Sequence, residues 1–452
     1  MISAQSRRRS RYSVEGRHTA VKPWLVAGQR LARDQHGSRL RRAHSRGRLR
    51  RGRSRQVGVT ASYRRMREAV RDSYRADPRL REQVRRQAHL NPGGGWVSGL
   101  CAEPGVIHGV LQELLAPHRA AGNLRLLQHY RPVRAQADAD LIRAVEFTSS
   151  RGGEPAVVHA AQVIDATEEG DLLPLTGCEH VLGAESSTST GEPHARSGPP
   201  DRFDQQALTW CAALELRPAG QDHVIERPAR YGFWRSYQAP FWPGPQLGWA
   251  TPDPQTSRPL HRPLFGARGQ KDLWQFRRIR HGASYQPPLC DVTLVNWPQN
   301  DYWLAPITGV PADVREQRLA DARELTRCLV YWLQTEAPRP DGGSGYPQLR
   351  LAAGALGTPG GLAAAPYIRE SRRIRAEFTV TEQHVEHRRG RRRARRLRRA
   401  APCPAPRHPR PAPVPRRIPA TAGQARHPAF LARGHPQHAA VTESPANPDD
   451  FG

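Results

Sequence analysis

One stretch of the chain, residues 156–172, combines a run of β-branched residues with an acidic turn; its sequence is AVVHAAQVIDATEEGDL. The β-branched residues favour a buried strand over residues 157–165, and Gly170 permits a close backbone approach to a ligand just after it. Open α/β sheets bind ligands at the carboxyl ends of their strands. Asp165 and Asp171 are therefore predicted to lie at a ligand site. An ordinary surface turn is the alternative that these residues leave open.

Six segments, in this order along the chain, carry a resemblance to a known family. They are GVTASYRRMR (58–67), NPGGGWVSGLCAEP (91–104), VIDATEEGDLLPLTGCEHVLGAES (163–186), TLVNWPQNDYW (293–303), LVYWLQTEAPRPDGG (329–343) and PYIRESRRIRAEFTV (366–380). Over residues 57–385 the chain resembles the FAD-dependent oxidoreductases of the glutathione-reductase-like type, which have two dinucleotide-binding domains. The resemblance implies FAD as the cofactor, a small-molecule substrate and hydride transfer through the flavin.

The two ends of the chain differ in composition from its middle. Residues 1–56 hold 17 basic and 2 acidic residues, and residues 386–452 hold 15 basic residues, 4 acidic residues and 12 prolines. Only +3 of the formal net charge of +29 therefore lies between them. A member of the family is expected to begin with a strand and Gly-x-Gly-x-x-Gly, whose backbone N–H groups meet the FAD diphosphate. Residues 1–56 contain no such motif.

The composition suggests an origin for both ends. Arginine outnumbers lysine 68 to 2, as GC-rich coding DNA would give, and such DNA read out of frame yields arginine, proline, alanine, glycine and histidine. We interpret both ends as frameshifted translations around an authentic middle. The alternative is a basic nucleic-acid-binding protein that neutralises phosphates with segments such as RRGRRRARRLRR (388–399). Because base-stacking aromatics are nearly absent from the C-terminal end, we do not expect a nucleic-acid partner.

The sequence thus predicts an α/β protein. Its expected fold is an incomplete FAD/NAD(P)-binding, glutathione-reductase-like fold with an inserted substrate domain and disordered basic termini. The predicted organisation is a disordered basic segment (1–56), a partial FAD-binding domain without the N-terminal Gly-x-Gly-x-x-Gly (57–200), a Trp- and Pro-rich substrate domain (201–311), a helical return to the FAD domain (312–385) and a disordered Arg- and Pro-rich tail (386–452).

Local patterns predict individual elements within this organisation. The expected elements are a helix over 60–88 interrupted at Pro78, a helix after Pro104, strands over 124–133 and 139–147, and a helix over 312–335 with an apolar stripe. Seven tryptophans between residues 203 and 303 favour packing over substrate contact. The cysteines show no Cys-x-x-Cys spacing, so we expect reduced thiols in a cytoplasmic protein and no metal site. No stretch approaches the roughly 18 apolar residues of a membrane span.

The resemblance places the acidic turn where the flavin domain resumes. It therefore implies that Asp165, Gly170 and Asp171 lie near FAD. The loop that begins with three glycines at 93–95 leads toward the flavin in the family, which implies Trp96 and Ser98 as flavin or substrate neighbours. By composition alone these glycines favour a flexible turn, since they lack the spacing of a phosphate-binding motif.

The block NWPQNDYW supplies the predicted substrate side. Asn296, Gln299, Asn300 and Asp301 stand between aromatic rings, where an unpaired polar group would cost about 1 to 3 kcal/mol. We interpret them as facing a ligand, with Asn300 and Tyr302 orienting the substrate and Asp301 or Tyr302 transferring a proton. A hydrogen-bonded corner between domains is the alternative.

Two further groups complete the predicted substrate side. Asn296 and Trp297 are predicted to contact the substrate. Arg369 and Arg372 are predicted to hold an anionic group, because a guanidinium matches a carboxylate or phosphate in geometry; a salt-bridged surface is the alternative.

Overall fold

A computed structural model describes residues 12–15, 60–253, 258–267 and 269–385. The predictions for residues 1–56 and 386–452 lie outside these ranges except at one short strand. This strand, β1 (Tyr12–Glu15), pairs in parallel with β2 (Leu124–Leu127). The backbone at these four residues therefore differs from the predicted disorder, because it gains the hydrogen-bond partners of a strand.

Three helices share one hydrophobic cluster. α1 (Ala61–Arg75) begins after Thr60, whose side chain accepts a hydrogen bond from a backbone N–H of the first turn at 3.2 Å. α2 (Glu82–Arg85) is a single turn, and α3 (Pro104–Ala120) starts at a proline that suits the first helical turn. These bounds confirm the predicted first helix, its interruption near Pro78 and the helix that follows Pro104.

An antiparallel sheet comes next, in the order β3 (Tyr130–Asp138), β4 (Leu141–Ser149) and β5 (Ala156–His159). The β3–β4 hairpin confirms the predicted antiparallel pair, but the predicted strand over 124–133 is wrong as a single strand, because β2 ends at Leu127 and β3 begins at Tyr130. The predicted strand over 157–165 is wrong beyond His159, where β5 ends. Val157 is 52% exposed, since alternate side chains of β5 point to the solvent-facing side of the sheet. Ile164, which lies beyond the end of β5, is 73% exposed.

The end of β5 also changes the setting of the acidic turn. Because β5 is antiparallel to β4, Asp165 and Asp171 do not lie at the carboxyl end of a buried parallel strand. Their position is set instead by hydrogen bonds within the turn and by contacts with distant arginines, which are described with the site below.

A second antiparallel sheet forms the centre of the described structure. Its order is β11 (Arg278–Arg280), β12 (Val292–Val295), β8 (Ala212–Leu216) and β14 (Leu349–Leu351). Alternate side chains of β12 enter two different hydrophobic clusters: Val295 joins one, and Val292 and Leu294 join the other. All four residues of β12 are consequently buried.

The longest helix, α8 (Ala312–Thr335), has the bounds that its apolar stripe predicts. Leu325, Leu329 and Leu333 are fully buried in the larger hydrophobic cluster. The same cluster takes in most of the tryptophans of the predicted substrate domain: Trp234, Trp249, Trp274, Trp297 and Trp303. Their burial confirms the packing interpretation for these five residues.

Short elements complete the described part. They are β6 (His180–Val181), β7 (Leu208–Thr209), β9 (Ala250–Pro252), β10 (Pro259–His261), β13 (Asp301–Tyr302), β15 (Arg373–Ile374), α4 (Leu172–Leu175), α5 (Ser187–Thr190), α6 (Tyr231–Ser236), α7 (Leu273–Phe276), α9 (Glu382–Val385) and 3-10 turns at Gly282–Ser284 and Pro298–Asn300. None of the helices in the described ranges is long and apolar enough to cross a membrane.

Candidate functional site

Three segments that are far apart in the sequence enclose a small pocket: residues 203–208, 302–308 and 368–370. Tyr302 and Arg369, two of the predicted site residues, line it. Its interior volume of about 20 Å³ is enough for about one water molecule. The pocket therefore brings one predicted catalytic residue and one predicted substrate-binding residue together.

Backbone pairing holds the three segments together. β7 pairs with β13, so that Thr209 lies opposite Asp301. Thr209 also exchanges two backbone hydrogen bonds with Tyr367, at 2.7 and 3.1 Å. Both flanking segments of the pocket are therefore anchored to the same two-residue strand, and the separation of Tyr302 from Arg369 is fixed by main-chain geometry.

Arg369 is the most connected side chain of the pocket wall. Its guanidinium donates to the carbonyl oxygen of Ala207 at 2.6 Å, to Oδ1 of Asp301 at 2.7 Å and to Oδ1 of Asn296 at 3.3 Å. Oδ1 of Asp301 accepts a second hydrogen bond from the hydroxyl of Thr209. The predicted residues Asn296, Asp301 and Arg369 thus form one hydrogen-bonded group.

Asn300 lies in a buried corner beside this group, with no exposed surface. Its Oδ1 accepts from the N–H of Trp297 at 2.9 Å, and its Nδ2 donates to the carbonyl oxygen of Trp210 at 3.1 Å and to the hydroxyl of Thr326 at 3.2 Å. These contacts favour the alternative interpretation, a hydrogen-bonded corner. The catalytic role of Asn300 stays a prediction.

Tyr302 and Trp297 are both buried, at 2% and 1% exposure. Burial raises the pKa of the Tyr302 hydroxyl, and the nearby carboxylate of Asp321 raises it further. The phenol is therefore neutral near physiological pH and suits a hydrogen-bonding role better than that of a base. Trp297 packs within the large hydrophobic cluster.

The acidic turn is held by its own side chains. Asp165 accepts from the N–H and the hydroxyl of Thr167, at 2.9 and 2.7 Å, and from the N–H of Leu172 at 3.0 Å. Gly170 has a φ of +66°, in the left-handed region that favours glycine. The side chain of Asp171 is 50% exposed. Partial burial raises its pKa, and the negative charges of Glu169 and Asp165 add to the effect.

Glu169 connects this turn to the pocket. Its carboxylate is buried and accepts from the hydroxyl of Thr308, a pocket residue, at 2.7 Å and from the guanidinium of Arg315. Arg372 donates to the carbonyl oxygen of Glu169 at 2.9 Å and lies 3.5 Å from the carboxylate of Asp171. The predicted cofactor and substrate sides are therefore joined through Glu169, which sequence reasoning did not single out.

The three-glycine turn packs against the protein itself. A Cβ atom on Gly93 would lie 2.1 Å from the carbonyl oxygen of Arg278, and one on Gly95 would lie 2.7 Å from Sγ of Cys101. The indole of Trp96 donates to the carbonyl oxygen of Asp272 at 3.2 Å. Ser98 is 4% exposed, and its hydroxyl accepts from a backbone N–H at 3.1 Å. Glycine is needed at these positions because neighbouring atoms leave no room for a side chain. The flexible turn that composition favoured is therefore not the reason for these glycines.

Thr209, Thr308 and Arg315 are contacts of the site that no sequence pattern indicated. Thr308 and Glu169 are 139 residues apart, and Arg315 and Glu169 are 146 apart. Threonine and arginine outside a motif carry no signal of such pairings, because the pairing depends on the chain topology. Glu169, in contrast, lies inside the acidic turn. Its place in that motif was a sequence signal that could have identified it as a site residue.

FAD, the cofactor that the resemblance implies, needs backbone donors for its diphosphate. The N–H groups of Gly93 and Gly94 already donate to carbonyl oxygens at 2.8 and 2.9 Å. The acidic turn concentrates carboxylates, which would repel a diphosphate. The described residues therefore do not fit the FAD diphosphate, although the half-exposed carboxylate of Asp171 suits a hydroxyl donor.

Comparison with known proteins identifies the family. The FAD dependent oxidoreductase family matches residues 43–396, a range that extends beyond the predicted 57–385 at both ends. No curated protein and no solved structure gives a significant match. Because the matched range covers well over half of the chain and contains all the motifs described above, the protein belongs to the FAD dependent oxidoreductase family, whose cofactor is FAD.

Proposed function

We propose that this oxidoreductase binds a small-molecule substrate beside the pocket wall formed by Tyr302 and Arg369, with one small group of the substrate entering the pocket and FAD supplying the hydride chemistry. The observation that carries the proposal is the hydrogen bond from Thr308 to Glu169, which joins the pocket wall to the acidic turn. The acidic turn, which the family resemblance assigns to the cofactor, and the pocket wall, which we assign to the substrate, then belong to one connected site. The nucleic-acid alternative concerns segments outside the described ranges, and no described contact favours it.

On the substrate side, Asp301 is the proton acceptor that we propose. Both hydrogen bonds to its carboxylate, from Thr209 and Arg369, reach Oδ1. Within the described ranges Oδ2 has no partner, so it is available to a hydroxyl or amine of the substrate. Arg369 balances the charge of Asp301 and fixes its orientation. Tyr302, a neutral phenol, orients the substrate by hydrogen bonding, and Asn300 supports the corner from which Asp301 projects.

On the cofactor side, we assign Asp165, Gly170 and Asp171 to the neighbourhood of FAD hydroxyl groups. The exposed half of the Asp171 carboxylate supports this assignment. We keep Trp96 and Ser98 as more distant flavin or substrate neighbours. We propose that the diphosphate is met by a Gly-x-Gly-x-x-Gly segment that a frame-restored gene would encode.

The experiment for the substrate side uses the protein from a frame-restored gene, loaded with FAD. Its flavin is exposed without oxygen to panels of small alcohols, amines and hydroxy acids, and the loss of flavin absorbance gives the rate of reduction. With any substrate found, we expect Asp301→Asn to slow reduction by about 100-fold or more, since it removes the proton acceptor. Asp313→Asn, at an exposed position of α8, is the control. Equal rates for Asp301→Asn and the wild type would refute the assignment.

The experiment for the cofactor side measures bound flavin. In the frame-restored protein, Gly170→Val and Asp171→Ala are each expected to lower the flavin content. Undiminished flavin in both variants would show that this turn does not contact FAD.

A further inference from the structure

Arg277 is a partly buried cation without a carboxylate partner. It follows α7, and its Nε donates to the backbone carbonyl oxygen of Asn296 at 2.9 Å. Its guanidinium lies 4.8 Å from the ring centre of Phe276. Among the described residues, no carboxylate lies within 4 Å of this guanidinium, and its two Nη groups make no hydrogen bond. Burial lowers the pKa of Arg277, and the nearby charge of Arg369 lowers it further.

Asn296 joins Arg277 to the pocket wall. The side chain is 2% exposed, and its Oδ1 accepts from Arg369. Its Nδ2 has no hydrogen-bond partner in the described part of the protein. A buried amide donor that is left without an acceptor is costly, so Asn296 gains a hydrogen bond wherever a bound molecule supplies the acceptor. Asn296 therefore contributes an unused donor on the residue whose backbone carbonyl oxygen already contacts Arg277.

The charges of this group do not cancel. Arg277 and Arg369 carry two positive charges, whereas Asp301 carries one negative charge, which is already paired with Arg369 at 2.7 Å. One positive charge is left over in a partly buried place, where a missing counter-ion costs more than it would in water. The group is thus complementary to a single negative charge.

We propose that Arg277 and Asn296 bind the carboxylate of the substrate, so that the proposed oxidoreductase acts on small carboxylic acids. This inference rests on the proposed function for the location of the substrate. The two free Nη groups of Arg277 match the two oxygens of a carboxylate, and the single net charge matches a monoanion better than a phosphate dianion. The carboxylate placed there lies close to Asp301, which then faces the hydroxyl or amine of the same substrate.

The test measures binding of acetate to the full 452-residue chain by calorimetry, with sodium chloride replaced by sodium acetate at constant ionic strength. We expect saturable binding to the wild type. Arg277→Gln should weaken it by about 10-fold to 100-fold, the range for a lost charged hydrogen bond. Asn296→Asp keeps the acceptor for Arg369 but cancels the net charge, and it should abolish binding. Arg65→Gln, which removes a charge at an exposed position of α1, should bind like the wild type.

The outcomes separate the inference from the proposed function, because acetate binding needs neither flavin nor turnover. Absence of saturable binding to the wild type would overturn the carboxylate site, as would unchanged affinity in Arg277→Gln. Inorganic phosphate that binds as tightly as acetate would overturn the assignment to a carboxylate. If Arg277→Gln does not fold, Asn296→Asp and Arg277→Lys give the same comparison. Acetate binding in a protein whose flavin no substrate reduces would leave the site in place and refute the proposed function instead.

Discussion

The hydroxyl of Thr308 donates to the buried carboxylate of Glu169 at 2.7 Å. This contact joins the wall of the pocket to the acidic turn of the family motif. Arg315 donates to the same carboxylate, so that a single buried charge connects the start of α8 with two regions of the site. Changes at Glu169 are therefore expected to affect both regions together.

Glu169→Gln should lower the free energy of unfolding by about 2 kcal/mol. The variant keeps the shape of the side chain but leaves the guanidinium of Arg315 without its buried partner. Glu316→Gln is the matched control, since Glu316 is 76% exposed and lies 3.7 Å from the same arginine. Its loss should change stability by less than about 0.5 kcal/mol. Urea denaturation measures both, and equal effects would show that burial of Glu169 adds nothing.

Gly170→Ala should be more destabilising than Gly177→Ala. Both glycines have positive φ angles, +66° and +70°, so each substitution incurs strain of about 1 kcal/mol. At Gly170 the new methyl group would also lie 3.3 Å from Cβ of Arg372 and from Leu173, whereas nothing lies within 4 Å at Gly177. The difference between the two unfolding free energies measures this crowding. No difference would mean that Arg372 moves aside freely.

Asp171→Asn should raise stability at neutral pH. The pKa of Asp171 is raised in the folded state, by partial burial and then by Glu169, so folding favours its protonated form. The ionised carboxylate therefore destabilises the fold above this pKa, and the penalty disappears as the pH falls below the unfolded value of about 3.9. The stability gained by Asp171→Asn should therefore shrink as the pH is lowered from neutral toward this unfolded value. A gain that is constant between neutral and acidic pH would exclude a titration effect.

Asn300→Leu should lower the free energy of unfolding by about 3 kcal/mol. The substitution removes the acceptor of the Trp297 N–H and leaves the buried carbonyl oxygen of Trp210 with one partner fewer. A residue that acted in catalysis alone would give a variant as stable as the wild type. Thermal unfolding together with the rate of flavin reduction distinguishes a structural role from a catalytic one.

The parts of the fold that depend on local pattern were predictable. The apolar stripe of α8 predicted this helix, Pro104 marked the start of α3, and strand segments separated by polar turns predicted the antiparallel unit that contains the β3–β4 hairpin. In each case the interactions that determine the element lie within a few residues of one another. The wrong extension of β5 has the opposite cause. Val163 and Ile164 are β-branched, but no described strand pairs with them, and β propensity needs a partner strand.

The site was predictable to a smaller extent. The motifs pointed to Asp301, Arg369 and the acidic turn, and the pocket brings Tyr302 and Arg369 together. Their mutual arrangement depends on the pairing of β7 with β13, which joins parts of the chain about 90 residues apart. Arg277 was not predicted, because an arginine without a partner becomes informative only when its surroundings are known.

The most direct measurement is the flavin content of two purified proteins, the 452-residue chain and the product of a frame-restored gene. The diphosphate of FAD needs fixed backbone donors that arginine side chains do not replace, and the described residues do not supply them. We expect little or no flavin in the 452-residue chain, and a yellow protein whose flavin is reduced by its substrate from the restored gene. Stoichiometric flavin in the 452-residue chain would contradict this account and show that its N-terminal end is authentic.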